Sequence, residues 1–392
     1  MKVALSTIGK FHSFDLAREL YARGALSLIL SGYPRFKLGN ESLPHELIRT
    51  FPLIHGLYMA FPWRHRLGRY WIEQWEYLDQ WSFGIFVARN LPECDVYVGL
   101  SGSSLRAGEK AKTRGARYVC DRGSSHIRAQ DEILREEHER WGLPYPGIDP
   151  RIIDAEESEY AEADCITVPS HFAYRSFLSQ RIAPEKLRLL PYGVNLSLFE
   201  PAETPPEGRF DVLFGGGMSL RKGIPYLVQA FQQLRHPAKS LSFVGTPSAS
   251  MIEFLRQRSL WPKEARVLGH VPQPQLKNVM SRSHVMVLPS VEEGLALVQA
   301  QAMACACPVI GTHNTGAEDI FTNSQEGFIV PIRDPDALTE RLQYLADHPE
   351  ERAQMGQRAL AKVQDFGGWH RYGGKAMAIY TALAGVPAKP LG

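Results

Sequence analysis

Cysteine is scarce in this 392-residue chain. The five residues, at positions 94, 120, 165, 305 and 307, show neither the spacing of a disulfide framework nor that of paired metal ligands. Cys305 and Cys307 fall in an apolar run, which predicts small buried thiols. No stretch reaches the ~18 consecutive apolar residues expected of a membrane-spanning helix. No signal-peptide pattern precedes the first strand candidate, "MKVALST". Charge is nearly balanced, 44 Lys and Arg against 42 Asp and Glu, so composition makes no case for nucleic acid as a partner. No cluster of His, Asp and Glu has metal-ligand spacing, and no catalytic metal or other cofactor is expected. These absences together predict a reduced, cytoplasmic protein.

What is present is a repeated alternation of short apolar runs with amphipathic stretches. "KVALST" (2–7), "ALSLIL" (25–30), "CDVYVGL" (94–100), "ARYVCD" (116–121) and "DCITVPS" (164–170) read as fully buried strands. "FDLARELYARG" (14–24) fits a helix closed by its glycine. The pattern then restarts with "DVLFGGG" (211–217), "SLSFVG" (240–245), "ARVLGHV" (265–271), "HVMVLPS" (284–290) and "PVIGT" (308–312), with helical "IPYLVQAFQQL" (224–234) between them. Two successive arrays of this kind imply an α/β protein with two doubly wound parallel sheets. A proline-rich junction, "LPYGVNLSLFEPAETPPEGRF", sets the expected boundaries: a first domain over 1–188, a second over 189–367, and a C-terminal helix over 368–392 that leans back across the cleft. In such sheets ligands bind beyond the carboxyl ends of the strands, so the cleft is where chemistry is expected.

Five motifs in fixed order carry a family resemblance: "LPYGVNLSLFEP", "LRKGIPYLVQAF", "VLGHVP", "VLPSVEEGLALVQAQAMACACPVIGT" and "TGAEDIF…EGFIVPIRDPDAL". Their order and spacing resemble retaining glycosyltransferase family 4, densely over residues 150–383 and thinly before them. The resemblance implies the GT-B architecture of two Rossmann-like domains facing a cleft. It also implies transfer of a hexose, with retention, from a UDP- or GDP-linked donor to a glycan or lipid-linked acceptor in polysaccharide or cell-surface glycan synthesis. Two alternatives stay open: a nucleotide-sugar epimerase of similar fold and a non-catalytic sugar-nucleotide-binding protein.

The residues give this reading its chemistry. A leaving nucleoside diphosphate gathers negative charge. Lys222 and Arg221, after the glycine-rich strand end "FGGGMSLRKG", supply a point charge and a bidentate fork. The family often has an arginine where Gly217 stands, which puts more of the electrostatic load on this pair. Gly294, Leu295, Ala296 and Leu297 are expected to open a helix whose first amides are free for phosphate. Val271, in "VLGHVP", joins the donor side. Glu293 and Gln301 are eight residues apart. On a helix that is about 12 Å and roughly 80° of rotation, so they are not a paired acid and base. The resemblance assigns the position of Gln301 to the ribose, where an amide can both accept and donate, and Glu293 to the donor sugar.

Asp121, Arg122 and His126 follow a strand in "YVCDRGSSHIRAQ". The family's sugar-contacting histidine corresponds to either Asp121 or His126, and Arg122 is an acceptor candidate. Gly9, Lys10 and His12 follow the first strand and are further acceptor candidates. "DPD" (Asp334, Asp336) precedes a helix, so capping explains it better than metal binding. Residues 51–86 hold eleven aromatics, including Trp63, Trp71, Trp75 and Trp81, flanked by Arg64, His65, Arg66 and Arg69. Two readings are open for this stretch: a packed, cleft-lining helical pair, or a surface that docks the membrane interface or a lipid-linked acceptor.

Overall fold

A computed structural model describes residues 1–61 and 68–385. The apolar runs become central strands, because a run buried on both faces pairs best inside a parallel sheet covered by helices. The first sheet is built from β1 (Val3–Thr7), β2 (Leu26–Ser31), β3 (Ile48–Thr50), β4 (Val96–Leu100), β5 (Arg117–Asp121), β6 (Cys165–Val168) and β7 (Leu187–Leu189). All pairs are parallel, in the order β3-β2-β1-β4-β5-β6-β7. Its helices are α1 (Ser13–Ala22), α2 (Leu53–Ala60), α3 (Arg69–Asn90), α4 (Leu105–Thr113), α5 (Ile127–Arg140), α6 (Pro150–Glu162) and α7 (His171–Ser179).

The second sheet holds β8 (Phe210–Gly215), β9 (Lys239–Val244), β10 (Ala265–Gly269), β11 (Val285–Leu288), β12 (Val309–Thr312) and β13 (Gly327–Val330). It is again wholly parallel, in the order β10-β9-β8-β11-β12-β13. Around it lie α8 (Ile224–Gln233), α9 (Ala249–Gln257), α10 (Gln273–Arg282), α11 (Leu297–Ala304), α12 (Pro335–Asp347) and α13 (Pro349–Asp365), and the chain continues into α14 (Gly368–Ala384). This is the GT-B architecture of two Rossmann-like sheets. Strands β3, β7 and β13 were not among the strand candidates. They are edge or near-edge pieces of three or four residues, too short to show a period.

Alternate residues of β1 feed different cores: Ala4 packs with Leu28, Leu30 and Tyr97 on one face, Val3 and Leu5 with Ile29, Val96 and Val98 on the other. The second face is closed by the C-terminal helix. Tyr372, Ala376 and Tyr380 of α14 are all at most 2% exposed and share a core with Phe14, Leu16 and Leu20 of α1. Gly367 and Gly368 both have positive φ, +71° and +58°, a left-handed pair that turns the chain out of α13. The same turn meets the interdomain linker. A Cβ on Gly193 would lie 2.5 Å from the Trp369 amide nitrogen and 2.6 Å from the Gly368 carbonyl oxygen, so only glycine lets these two crossings touch.

Asp334 accepts a hydrogen bond from the Ala337 amide at 2.8 Å and caps α12, and Asp336 lies in that helix's first turn. Cys305 and Cys307 are buried, at 2% and 1% exposure. In the aromatic stretch, α2 and α3 form a helical pair whose inner face packs: Phe83 is fully buried, and Phe51 stacks on Phe86 at 4.9 Å. The outer face leaves Tyr70 and Trp71 each 63% and Trp81 44% exposed. Trp63, Arg64, His65 and Arg66 lie outside the described residues.

Candidate active site

In each sheet the strand order reverses once, between β1 and β4 and between β8 and β11. Chain leaving these strands in opposite directions opens a crevice at their carboxyl ends. The two crevices face each other across a cavity of about 1180 Å³. Lys10, His12, Arg122 and Ser124 line it from the first domain, and Glu293, Leu297 and Gln301 from the second.

On the second-domain wall, the β8 end runs through Gly216 and Gly217 to Arg221 and Lys222. Gly217 has open space beside it. Lys222 Nζ is ion-paired with the Glu293 carboxylate, so the loops after β8 and β11 meet through opposite charges. Gln301 sits one turn into α11 and faces the same cavity as Glu293. The helical projection of this pair does not hold, because α11 begins only at Leu297 and residues 293–296 are loop.

The expected free amides at 294–297 need a related correction. The Ala296 amide donates to the Thr315 carbonyl at 3.2 Å, Leu295 and Ala296 are buried, and Gly294 is wedged against the first domain. A Cβ on Gly294 would lie 1.9 Å from the Gly123 carbonyl oxygen, and the Gly294 carbonyl accepts from Ser170 Oγ at 2.6 Å. Val271 packs against the second-domain core, while its neighbour His270 reaches the cavity.

On the opposite wall, His12 Nε2 lies 2.6 Å from Asp121 Oδ2, and Asp121 Oδ1 accepts from Thr167 Oγ1 at 2.7 Å. The His12 ring lies tilted against Tyr192 of the linker, with ring centroids 4.2 Å apart. Lys10 is ion-paired with Glu41, whereas Gly9 abuts the Phe11 ring and does not border the cavity. Arg122 touches the cavity but is largely committed elsewhere: it pairs with Glu156 at 2.8 Å and donates to Gln130 at 2.7 Å.

His126 is not a cleft residue. It is 2% exposed, packs against Tyr160 and Phe177 at 5.0 Å each, and accepts from the Arg128 amide as the N-cap of α5. Burial lowers its pKa to about 4, which keeps the ring neutral. Its place before a helix explains the result, since a side-chain acceptor there satisfies an otherwise orphaned amide.

Arg221 also departs from its expected part. Its Nε donates to Glu292 Oε2 at 2.7 Å, and its other arm reaches Ser124 Oγ of the first domain at 3.3 Å. Glu292 itself was not singled out by sequence. It is wholly buried, and its Oε1 accepts from Ser124 Oγ at 2.7 Å, Ser125 Oγ at 2.6 Å and the Ser125 amide at 3.3 Å. Burial alone would raise its pKa, but Arg221 and the two serines outweigh that and hold it below the ordinary carboxylate range.

Two facing Rossmann-like sheets with a charged interdomain cavity define the GT-B class of two-domain proteins. Residues 198–362 match the family model of glycosyl transferases group 1. The chain is 28% identical over 229 residues to a D-inositol 3-phosphate glycosyltransferase of Catenulispora acidiphila, covering 53% of this chain and 54% of that protein. It is also 28% identical over 234 residues to a GDP-mannose-dependent monoacylated alpha-(1-6)-phosphatidylinositol monomannoside mannosyltransferase of Corynebacterium glutamicum, covering 54% and 60%. The chain thus spans about half the length of the first of these relatives. Among solved structures, sucrose-phosphate synthase of Thermosynechococcus elongatus aligns with a TM-score of 0.75 at 22% identity, over 98% of this chain and 99% of that one. The Anabaena protein HepE in complex with UDP and glucose aligns with a TM-score of 0.70 at 15% identity, over 97% and 100%. The likeness to these two structures is one of fold.

Proposed function

We propose that the protein is a retaining glycosyltransferase that moves a hexose from a nucleotide sugar to a glycan or lipid-linked acceptor across the interdomain cavity. The observation that carries this reading is the shared exposure of Glu293 and Gln301 to one cavity, with the Lys222 ammonium held against Glu293. A donor diphosphate would compete with Glu293 for Lys222, neutralising the leaving group's charge while freeing the carboxylate for the sugar hydroxyls. Gln301, deeper along α11, would bind the ribose diol. The names of the two sequence relatives, a glycosyltransferase and a GDP-mannose-dependent mannosyltransferase, support a nucleotide-sugar donor.

No side chain is assigned as covalent nucleophile. In the front-side route, the leaving diphosphate takes the acceptor's proton as the new glycosidic bond forms on the face it vacates. His12 and Asp121, hydrogen-bonded on the opposite wall, would orient the acceptor hydroxyl. Lys222 takes the role that a metal ion has in other transferases, so transfer is proposed to need none. The exposed Tyr70, Trp71 and Trp81 support a peripheral membrane contact, because amphipathic aromatic rings favour that interface.

The test is a thermal-shift screen of UDP- and GDP-sugars, since a bound donor stabilises by mass action, followed by acceptor-dependent transfer with the best donor. Product that forms from the donor without any acceptor would favour an epimerase, and binding with neither transfer nor hydrolysis would favour a sensor.

A further inference from the structure

We infer that Glu292 is the bolt of domain closure: a positioning residue that joins the two domains next to the proposed catalytic Glu293 and sets how much of the population is closed. The inference about catalysis rests on the reading above. The inference about closure does not.

Four observations converge on it. Glu292 belongs to the second domain, but all three hydrogen bonds to its Oε1 come from Ser124 and Ser125 of the first. Its other oxygen takes Arg221, whose second arm also reaches Ser124, so one carboxylate joins two elements of its own domain to the opposite one. Closure at this point is tight, because Gly294 meets Gly123 with no room for a side chain and Ser170 binds the Gly294 carbonyl. The carboxylate is fully buried, and its partners are the reason a buried charge is tolerated there.

Domain opening removes all three first-domain donors together, yet leaves the Arg221 pair intact within the second domain. The open state therefore keeps a stable, paired Glu292, while the closed state gains a specific set of short hydrogen bonds. Such an element has two discrete arrangements. Glu293 is the adjacent residue, so closing the bolt fixes the backbone that presents it to the cavity. Further interdomain ties lie away from this loop: Arg333 pairs with Glu136 and the buried Glu137 of α5, Arg175 with Glu318, and His171 with Asp319. These ties do not touch the loop that carries Glu293.

The experiment compares wild type, Glu292→Ala, Glu292→Gln, the double variant Ser124→Ala/Ser125→Ala, and Arg333→Ala as a control that removes an interdomain tie away from the loop carrying Glu293. Small-angle X-ray scattering reads the domain distribution without any substrate, and steady-state kinetics reads transfer. The bolt predicts that the serine double variant, which leaves the second domain untouched, shifts scattering toward a larger radius of gyration. It also predicts a fall in kcat/KM of roughly 10- to 100-fold, because apparent affinity and turnover scale with the closed fraction. Glu292→Gln should recover part of both, since an amide oxygen still accepts from the serines, and Arg333→Ala should lower Tm without moving the kinetics comparably. Scattering and kcat/KM that both stay at wild-type values in the double variant overturn the inference. If scattering shifts but no variant, wild type included, transfers sugar, the bolt stands and the transferase reading fails.

Discussion

Replacing His126 separates its structural placement from a catalytic one, and the expected size of the effect can be worked out. In the folded protein its pKa is about 4, against an ordinary value of 6.5. Because the folded pKa is depressed, the unfolded chain binds the extra proton first as pH falls. The native state is thus at full advantage above pH 6.5 and loses ground progressively down to pH 4. Linkage puts the loss from this one residue at about 2 kcal/mol between pH 7.5 and pH 5. The clean measurement is the difference between wild type and His126→Asn in urea unfolding across that range. Asparagine keeps an N-cap acceptor but does not titrate. His284 is also held to about 4 by burial, and its contribution is common to both proteins and cancels. The variant should be less stable at pH 7.5, through lost packing against Tyr160 and Phe177, and its stability should fall less steeply with acid. Transfer per folded molecule should be nearly unchanged. Parallel stability curves, or a variant that folds normally but loses turnover, would refute the placement of His126 as a buried, neutral cap.

The remaining predictions concern the cavity and the surface. Lys222→Ala should remove about 2–4 kcal/mol of transition-state stabilisation, a rate loss of roughly 30- to 1,000-fold, checked by kcat/KM and by weakened nucleoside diphosphate binding. Gln301→Ala should raise donor KM by roughly 5- to 30-fold at nearly constant kcat, as expected for uniform binding of an unreactive ribose, while Glu293→Ala should lower kcat about a hundredfold or more. A kcat collapse in Gln301→Ala at unchanged KM would put the amide in the chemistry. Activity should survive excess chelator, and loss of transfer restored by Mg²⁺ or Mn²⁺ contradicts the role given to Lys222. Co-sedimentation with anionic vesicles should weaken in Trp71→Ser/Trp81→Ser and in high salt, and a wild type that never sediments returns these rings to ordinary surface.

Much of the fold was legible because it depends on local patterning. Every apolar run of six or seven residues chosen from the sequence contains a strand, and the repeated βα order gave two parallel sheets, while the point at which each sheet reverses came only with the structure. The pairings at the site are of another kind. Glu292 and Glu293 stand side by side in sequence, and the family resemblance singles out Glu293 while nothing local marks Glu292. One is sealed in the interface only because Ser124 and Ser125 arrive from 168 and 167 residues away. The same long-range partner draws Arg221 away from the cavity. His126 was misplaced for a local reason: a histidine just after a strand and just before a helix can serve as cap or as ligand, and only the rings of Tyr160 and Phe177 decide between them.

The contact between Gly193 and the Gly368–Trp369 backbone has a mechanical consequence. The polypeptide passes between the domains twice, once outward through the linker and once back into α14, and the two passages touch at this point. A pair of bodies joined by a single strand can swivel freely. Joined by two strands that meet, they keep essentially one easy rotation, about an axis through the meeting point. Any side chain at position 193 would push the passages apart and move that axis. The glycine is therefore what lets the two passages share one crossing point, from a position remote in sequence from both Lys222 and Glu293.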